Sequence, residues 1–226
     1  MSDYIVGITG ASGSIYGVRL VQELAQRKHN VHVVVTSAGK QVMKEEIGVS
    51  DKKEMLRLLT KEVISKTSLL SFPQAKRVGN PSQKKDSGQA GMTNKEGMVR
   101  IWENDDFTAP FMSGSNAQDA VIVIPCSMGK LAAIANGISS NLLERIADVA
   151  LKEKGQLILV VREAPLSLIH LENMVKVARA GAQILPAMPA FYHNPKTIDD
   201  MVNFIVGKVL NLLRIEHKLF KGWRKE

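Results

Sequence analysis

Length, composition and charge exclude several classes of protein for this chain. Its 226 residues suffice for one domain with a sizeable core, and 45% hydrophobic and 23% charged residues are ordinary for a globular protein. The apolar stretches are too short to span a bilayer, no secretory signal is recognisable, and the single cysteine, Cys126, permits no internal disulfide, so we expect a cytoplasmic protein without a membrane partner. The net charge of +8 comes without a nucleic-acid motif, which favours an anionic small molecule over nucleic acid as the ligand.

Buried strands and amphipathic helices alternate along the chain. Short β-branched runs predict strands at residues 4–9, 31–36, 99–102, 120–124, 157–161 and 184–185. Helical spacing and capping residues predict helices at residues 15–27, 38–46, 51–64, 128–135, 141–152, 167–180 and 197–214. This alternation predicts a three-layer α/β fold, with a Rossmann-like parallel sheet covered by helices on both faces. The ligand is then expected outside the carboxyl ends of the strands, where the strand order reverses.

Residues 65–97 interrupt this alternation. The segment is rich in Ser, Gly, Lys, Gln and Asn, contains Pro73 and Pro81, and shows no apolar period. Six of its residues are basic and two are acidic, so half of the excess positive charge lies here. We predict a polar, mobile surface insertion within a single domain that spans residues 1–226.

The loop after the first strand has the composition of a phosphate-binding turn. Gly10, Ala11 and Ser12 let the backbone approach a phosphate, and the next helix begins with N–H groups at the positive end of its dipole. The alternative is a tight turn that binds nothing. The G-x-G-x-x-G spacing is absent, and Ser37 rather than an acidic residue follows the second strand, which disfavours NAD.

The strand at residues 120–124 also leads into a polar turn. Ser127 is a natural N-cap for the following helix, whose first turn contains Met128, Gly129 and Lys130. The helix dipole disfavours a lysine in that turn, so its presence indicates either a bound anion or electron-rich ring, or a solvated side chain. Cys126 at the strand end is more typical of a small buried residue than of a nucleophile.

The strand at residues 157–161 is followed by Arg162 and Glu163, and Pro165 forces a turn. The pair is consistent with a charged donor and an acid/base group in one site, or with a surface ion pair. The five histidines show no metal-ligand spacing, so we predict no metal.

A rival interpretation comes from Tyr192 and Lys196, which have the Tyr-x-x-x-Lys spacing of short-chain dehydrogenases. That pair needs a helix, and Pro195 directly before the lysine is incompatible with a helix interior. We therefore interpret this match as accidental.

Taken together, the motifs resemble the flavin prenyltransferase family (the UbiX/Pad type, long described as aromatic-acid or 3-octaprenyl-4-hydroxybenzoate decarboxylases). The matching segments are residues 7–13, 113–115, 125–128, 131–137, 141–145, 161–166 and 186–192. Each segment alone is a weak signal, but their order and spacing together are specific. They cover nearly the whole chain outside residues 65–97.

The resemblance implies one FMN-binding domain that assembles as a homododecamer, with FMN between subunits. It implies transfer of the dimethylallyl group of dimethylallyl phosphate to N5 and C6 of reduced FMN, in a pathway such as ubiquinone biosynthesis. The prenylated flavin then serves a UbiD-type decarboxylase. No metal is implied.

The resemblance also assigns roles to individual residues. FMN is expected to contact Gly10, Ala11, Ser12, Ser37, Ser127, Met128, Gly129, Lys130 and Arg162. The prenyl phosphate is expected to contact Arg145, Lys152, Tyr192 and Lys208. The residues expected to act in catalysis are Glu163 on protons, Ser12 and, near the allyl group, Trp223.

Two alternatives remain open at this point. One is an FMN-dependent cysteine decarboxylase of the same fold, but the histidine and the Asn-rich motif on which those enzymes rely are not found in this sequence. The other is a non-catalytic FMN carrier, which would leave the flavin chemically unchanged.

Overall fold

The computed structural model describes residues 1–49, 51–60, 97–116 and 118–223. Within these residues six strands form one parallel sheet, in the order β3-β2-β1-β4-β5-β6. The strands are β1 (Asp3–Ile8), β2 (Asn30–Val35), β3 (Val99–Glu103), β4 (Ala120–Cys126), β5 (Gln156–Val161) and β6 (Gln183–Pro186). The order reverses between β1 and β4, which pair side by side, and this places the topological switch point between them.

Helices cover both faces of the sheet, as the alternation predicts. They are α1 (Ser14–Gln26), α2 (Ser37–Ile47), α3 (Lys52–Leu59), α4 (Met128–Ala135), α5 (Leu142–Lys152), α6 (Leu168–Arg179) and α7 (Ile198–Leu212). The three-layer α/β prediction is therefore confirmed. Along the described part of the chain, no helix combines the length and the apolar character needed to cross a membrane.

The two faces of the sheet have separate cores because successive strand residues point to opposite sides. Ile8 and Ile122 pack with α1, α3 and α7 on one face. Ile5 and Val121 pack with α4 and α5 on the other, together with Trp102. Strands buried on both faces leave their loops as the accessible part of the sheet.

The predicted boundaries hold within a few residues, with informative exceptions. β4 extends beyond the predicted strand to Cys126, and α7 ends at Leu212, because Arg214 adopts a left-handed backbone conformation with φ 57°. α3 ends at Leu59, and the rest of the predicted helix lies outside the described residues apart from Thr60. The predicted insertion at residues 65–97 also lies outside them, except for Gly97.

Candidate active site

The loops after β1 and β4 are joined by one buried side chain, Thr9. Its hydroxyl donates to the carbonyl of Pro125 at 2.7 Å and accepts from the amide of Ser127 at 2.8 Å. Thr9 is 1% exposed, so water does not compete for these bonds. The two loops that flank the switch point are therefore held in a fixed position relative to each other.

The loop after β1 also contacts the loops after β2 and β5. Gly10 lies against α2 so closely that a Cβ at this position would come within 2.6 Å of the Ala38 Cβ, which explains the glycine. The Arg162 Nε donates to the carbonyl of Ser12 at 3.1 Å. The structure thus brings Gly10, Ser12 and Arg162 together, and their contact with FMN stays a prediction.

The N-terminus of α1 holds a group that sequence reasoning missed. The carboxylate of Glu46, on α2, accepts from the amide of Gly13 at 2.9 Å and from the amide and hydroxyl of Ser14 at 2.9 and 2.7 Å. Gly13 is the N-cap, with φ 102°, and has no side chain to satisfy these amides. The prediction that the first amides of α1 are open to a phosphate is therefore wrong, since a carboxylate of the chain occupies them.

The environment of Glu46 favours its charged form. Burial acts to raise the pKa of Glu46, but hydrogen bonds from the Ser12 and Ser14 hydroxyls and from the Gly13 and Ser14 amides together hold the pKa below its usual value. Tyr16 lies nearby: burial raises the pKa of its phenol, which the charge of Arg162 lowers and that of Glu46 raises. Glu46 follows the buried Met43 by three residues, which marks an inward-facing carboxylate on α2 and could have revealed it.

The N-termini of α2 and α4 lie at the same edge of the sheet. Thr36 caps α2 by accepting from the Gly39 amide at 3.0 Å, and Ser37 is exposed in its first turn. Ser127 caps α4, and a Cβ at Gly129 would meet no atom within 4 Å. Gly129 therefore faces open space, with room for a ligand at the positive end of the helix.

Lys130 makes a contact that the sequence did not predict. Its ammonium pairs with the carboxylate of Glu144 at 2.5 Å, with side chains 13% and 7% exposed. Glu144 also accepts from the Ser140 amide at 2.9 Å. Burial acts to raise the pKa of Glu144, but these bonds and the Asn141 side chain hold it below its usual value. The pair joins α4 to the start of α5, and a contact of the Lys130 side chain with a cofactor stays a prediction.

Glu163 and Cys126 differ sharply in solvent exposure. Glu163 is exposed beside Arg162, and its carboxylate accepts from the Ala164 amide at 3.0 Å. Cys126 is fully buried, and burial raises the pKa of its thiol to about 12. Since the thiolate is the nucleophile, Cys126 is inert, in line with the prediction of a buried residue rather than a nucleophile.

Three of the residues assigned to the prenyl substrate lie in one aromatic cluster. The Tyr192 and Trp223 rings meet edge to face with centroids 5.4 Å apart. Tyr192 also contacts Phe204 at 5.8 Å, and the Lys208 Nζ lies 5.5 Å from the centre of the Phe204 ring. Residues 191–196 are not helical, so Tyr192 and Lys196 do not form a dehydrogenase pair.

Arg145 and Lys152 lie elsewhere. The Arg145 guanidinium pairs with Asp148 at 2.9 Å, and the Lys152 ammonium pairs with Glu153 at 2.7 Å. Lys152 ends α5 just before β5 begins, which places it at the amino ends of the strands, across the sheet from Arg162. One chain therefore does not bring Lys152 to the site formed by the strand ends. Arg145 lies near the start of α5, where the Leu142 amide donates to the carbonyl of Asn104 just after β3. Among the described residues no group of acidic, histidine or cysteine side chains could hold a metal ion.

Known proteins match this chain over nearly its whole length. The family model described as Flavoprotein matches residues 2–210. The flavin prenyltransferase UbiX of Halalkalibacterium halodurans is 47% identical over 223 residues, 99% of this chain and 94% of the relative. The flavin prenyltransferase UbiX of Aquifex aeolicus is 45% identical over 219 residues, which are 96% of this chain and 96% of the relative.

Solved structures agree with the sequence relatives. The structure of AnUbiX (PadA1) in complex with FMN and dimethylallyl pyrophosphate superposes with a TM-score of 0.78 at 32% identity, covering 100% of this chain and 98% of that one. The dodecameric FMN-dependent UbiX-like decarboxylase of Escherichia coli O157:H7 gives 0.77 at 34% identity, covering 99% and 100%. The cysteine decarboxylase TvaF shares only the fold, with a TM-score of 0.51 at 14% identity, covering 81% and 89%. The chain belongs to the flavin prenyltransferase family of flavoproteins.

Proposed function

We propose that this chain is a flavin prenyltransferase that joins the dimethylallyl group of dimethylallyl phosphate to N5 and C6 of reduced FMN. The allylic C–O bond would break and phosphate would leave with the electron pair, while N5 would give up its proton and bond to the terminal allylic carbon. A proton would then add to the central carbon of the remaining double bond, and C6 would give up its proton on bonding to the carbon that carries the two methyl groups. The observation that carries the proposal is the meeting of the loops after β1, β4 and β5 at the switch point, joined through Thr9 and Arg162. Relatives at 40 and 47% identity named for this activity support it.

The residues around the strand ends fit a flavin mononucleotide. Small residues line the loop after β1, the α4 N-terminus opens to free space at Gly129, and no acidic residue follows β2 to hold a second ribose. We propose that FMN is held by Gly10, Ala11, Ser12, Ser37, Arg162 and the segment of Ser127, Met128, Gly129 and Lys130. When bound in reduced form, FMN supplies the nucleophilic ring atoms.

The aromatic cluster supplies the groups that an allylic phosphate needs. Lys208 and the hydroxyl of Tyr192 are suited to bind the departing phosphate and stabilise its growing charge. The exposed ring of Trp223 is suited to stabilise the allylic cation through its π face. This chemistry requires both kinds of group at one place, and the fold puts them within one cluster.

Proton transfer is assigned in this proposal to Glu163, the exposed carboxylate beside Arg162. We propose that Glu163 accepts the proton from C6 of the flavin, because it is an ionisable group at a strand end with access to the ligand. Ser12 takes part through its hydroxyl, which hydrogen-bonds to Glu46. That bond fixes the hydroxyl in the loop that is proposed to bind FMN.

A second copy of the chain is proposed to complete the site. Lys152 lies at the opposite end of β5 from Arg162, so a neighbouring copy has to supply it to the prenyl phosphate. Closed symmetric assembly achieves this, and we propose a homododecamer, as in the E. coli protein. Light scattering on the purified protein tests it: a large closed oligomer is expected, and a fully active monomer contradicts the shared site.

The prenylated FMN is a product that another enzyme has to use. We propose that the prenylated FMN passes to a UbiD-type decarboxylase in the cytoplasm. The prediction of this partner follows from the family to which the chain belongs, and co-expression with such a decarboxylase tests it through restored decarboxylation of an aromatic acid.

Mass spectrometry of the flavin tests the reaction itself. The protein is incubated with reduced FMN and with dimethylallyl monophosphate or diphosphate, and a flavin heavier by one dimethylallyl group is expected. Release of carbon dioxide from a cysteinyl peptide instead indicates a cysteine decarboxylase. Bound FMN that stays unchanged with both donors indicates a carrier, and either result contradicts the proposal.

A further inference from the structure

The chain after α7 reverses and runs back along that helix. Arg214 turns the backbone, and the Ile215 amide donates to the carbonyl of Leu210 at 2.9 Å. His217 then holds the reversed segment: its Nε2 is 3.1 Å from the Asn211 Oδ1, and its Nδ1 accepts from the Leu219 amide at 3.2 Å. We call residues 215–223 the C-terminal strap.

The strap touches α7 at a glycine. A Cβ at Gly207 would lie 2.6 Å from the Phe220 Cε1 and 2.7 Å from the His217 Cε1. Real Cβ atoms do not approach other atoms so closely, so only glycine at this position lets the two rings lie on the helix. The space left by the missing side chain at Gly207 therefore accommodates the Phe220 and His217 rings of the strap.

The seated ring of Phe220 continues into the proposed substrate cluster. Phe220 packs on Phe204 with centroids 4.8 Å apart, and the Lys208 Nζ lies 6.0 Å from its ring centre. Three residues further on, Trp223 meets Tyr192 edge to face. The position of Trp223 thus depends on where Phe220 is seated.

We propose that Gly207 and Phe220 are positioning residues for the transfer reaction: they seat the C-terminal strap so that Trp223 is presented to the allyl group beside Tyr192. This inference rests on the proposed function, and it extends it to residues that contact neither FMN nor the prenyl donor. An aromatic face displaced by about 1 Å stabilises the allylic cation poorly, so the loss is expected in turnover rather than in cofactor binding.

Gly207→Ala tests the seat with a minimal change. Alanine favours a helix interior more than glycine does, so α7 is retained while the new Cβ pushes the two rings away. The expected result is a kcat for prenyl transfer lower by about ten- to a hundredfold, with wild-type FMN affinity and unfolding temperature. Phe220→Ala removes the ring from the other side and is expected to act alike, and Glu216→Ala, an exposed strap residue, is the matched control with wild-type kcat.

A second readout follows the strap directly. Lys218 and Lys221 are exposed trypsin sites within it, and a displaced strap is expected to be cut faster in Gly207→Ala and Phe220→Ala than in the wild type. Both variants prenylating FMN at the wild-type kcat overturns the positioning role, whether or not the strap is cut faster. A wild-type protein that makes no prenylated FMN contradicts the proposed function instead, so the two failures are distinguishable.

Discussion

The carboxylate of Glu46 accepts a hydrogen bond from the Ser14 hydroxyl at 2.7 Å, across 32 residues of sequence. The same carboxylate accepts hydrogen bonds from the amides of Gly13 and Ser14. It therefore occupies the place where a bound anion would otherwise accept from the first amides of α1. An anionic ligand at this edge of the sheet has to bind beside Glu46 rather than in its place. The open α4 N-terminus and the loop at Gly10 to Ser12 then offer the remaining positive potential.

Glu46→Gln is expected to lower stability at neutral pH by about 1 kcal/mol, because the amide replaces a charged acceptor of several hydrogen bonds. The folded-state pKa of Glu46 is lowered, so its contribution is present above the usual pKa of 4.5 and is lost as the pH falls through the lowered folded value. Urea unfolding over a pH series should therefore show less acid sensitivity in the variant. Glu45→Gln, on the exposed side of α2, is the control. Equal acid sensitivity of Glu46→Gln and wild type would count against this role.

Gly10→Ala is expected to weaken FMN binding, because the added Cβ meets the Ala38 Cβ at 2.6 Å and pushes the loop out of place. Ala38→Gly removes the opposing atom, so the double variant should recover most of the affinity. Gly10→Asp adds a charge as well and should not recover in the same way. Flavin fluorescence titration measures the FMN affinity of the wild type and of each variant. Unchanged affinity in both single variants at Gly10 means that the loop assignment is wrong.

Glu163→Gln is expected to slow prenylation by about 10²–10⁴-fold while FMN stays bound, since the amide cannot accept a proton. Glu172→Gln, an exposed change on α6, serves as the matched control. Product formation is followed by mass spectrometry across a pH range. Wild-type turnover of the variant at every pH would remove Glu163 from the mechanism.

Lys130→Met is expected to cost about 3 kcal/mol, because it leaves the carboxylate of Glu144 buried without its partner. Lys130→Met combined with Glu144→Leu removes both charges and should restore most of the stability. Because Glu144 engages the ammonium, we propose that Lys130 contacts FMN through its backbone, and we expect the double variant to bind FMN as the wild type does. Chemical unfolding and FMN titration check the two parts separately, and loss of FMN in a stable double variant would assign the Lys130 side chain to the cofactor.

The fold was predictable because its signals are local. Ser167 and Thr197 cap α6 and α7 as their sequence patterns predict, each through the amide three residues on. The family was predictable because its motifs fall at strand ends, where the parallel topology gathers them. These predictions of fold and family are confirmed.

The unpredicted contacts are those between residues distant in sequence. Nothing near Ser14 indicates that Glu46 caps α1. For Lys130 the sequence indicates either a ligand contact or a solvated side chain, and neither includes the ion pair with Glu144 that the packing of α5 creates. The seat at Gly207 likewise depends on a chain reversal at Arg214, which composition does not encode. Local patterns predict elements, whereas these pairs depend on how the elements pack.

The separation of Lys152 from Glu163, at opposite ends of β5, makes this protein suitable for a complementation experiment. Lys152→Ala and Glu163→Gln are each expected to have little activity alone, because the substitution is present in every active site of the homo-oligomer. When the two are co-expressed, random mixing gives about one quarter of the sites an intact Glu163 from one copy and an intact Lys152 from another. Activity well above that of either parent is expected, and its absence in verified mixed assemblies would place both residues in the same copy.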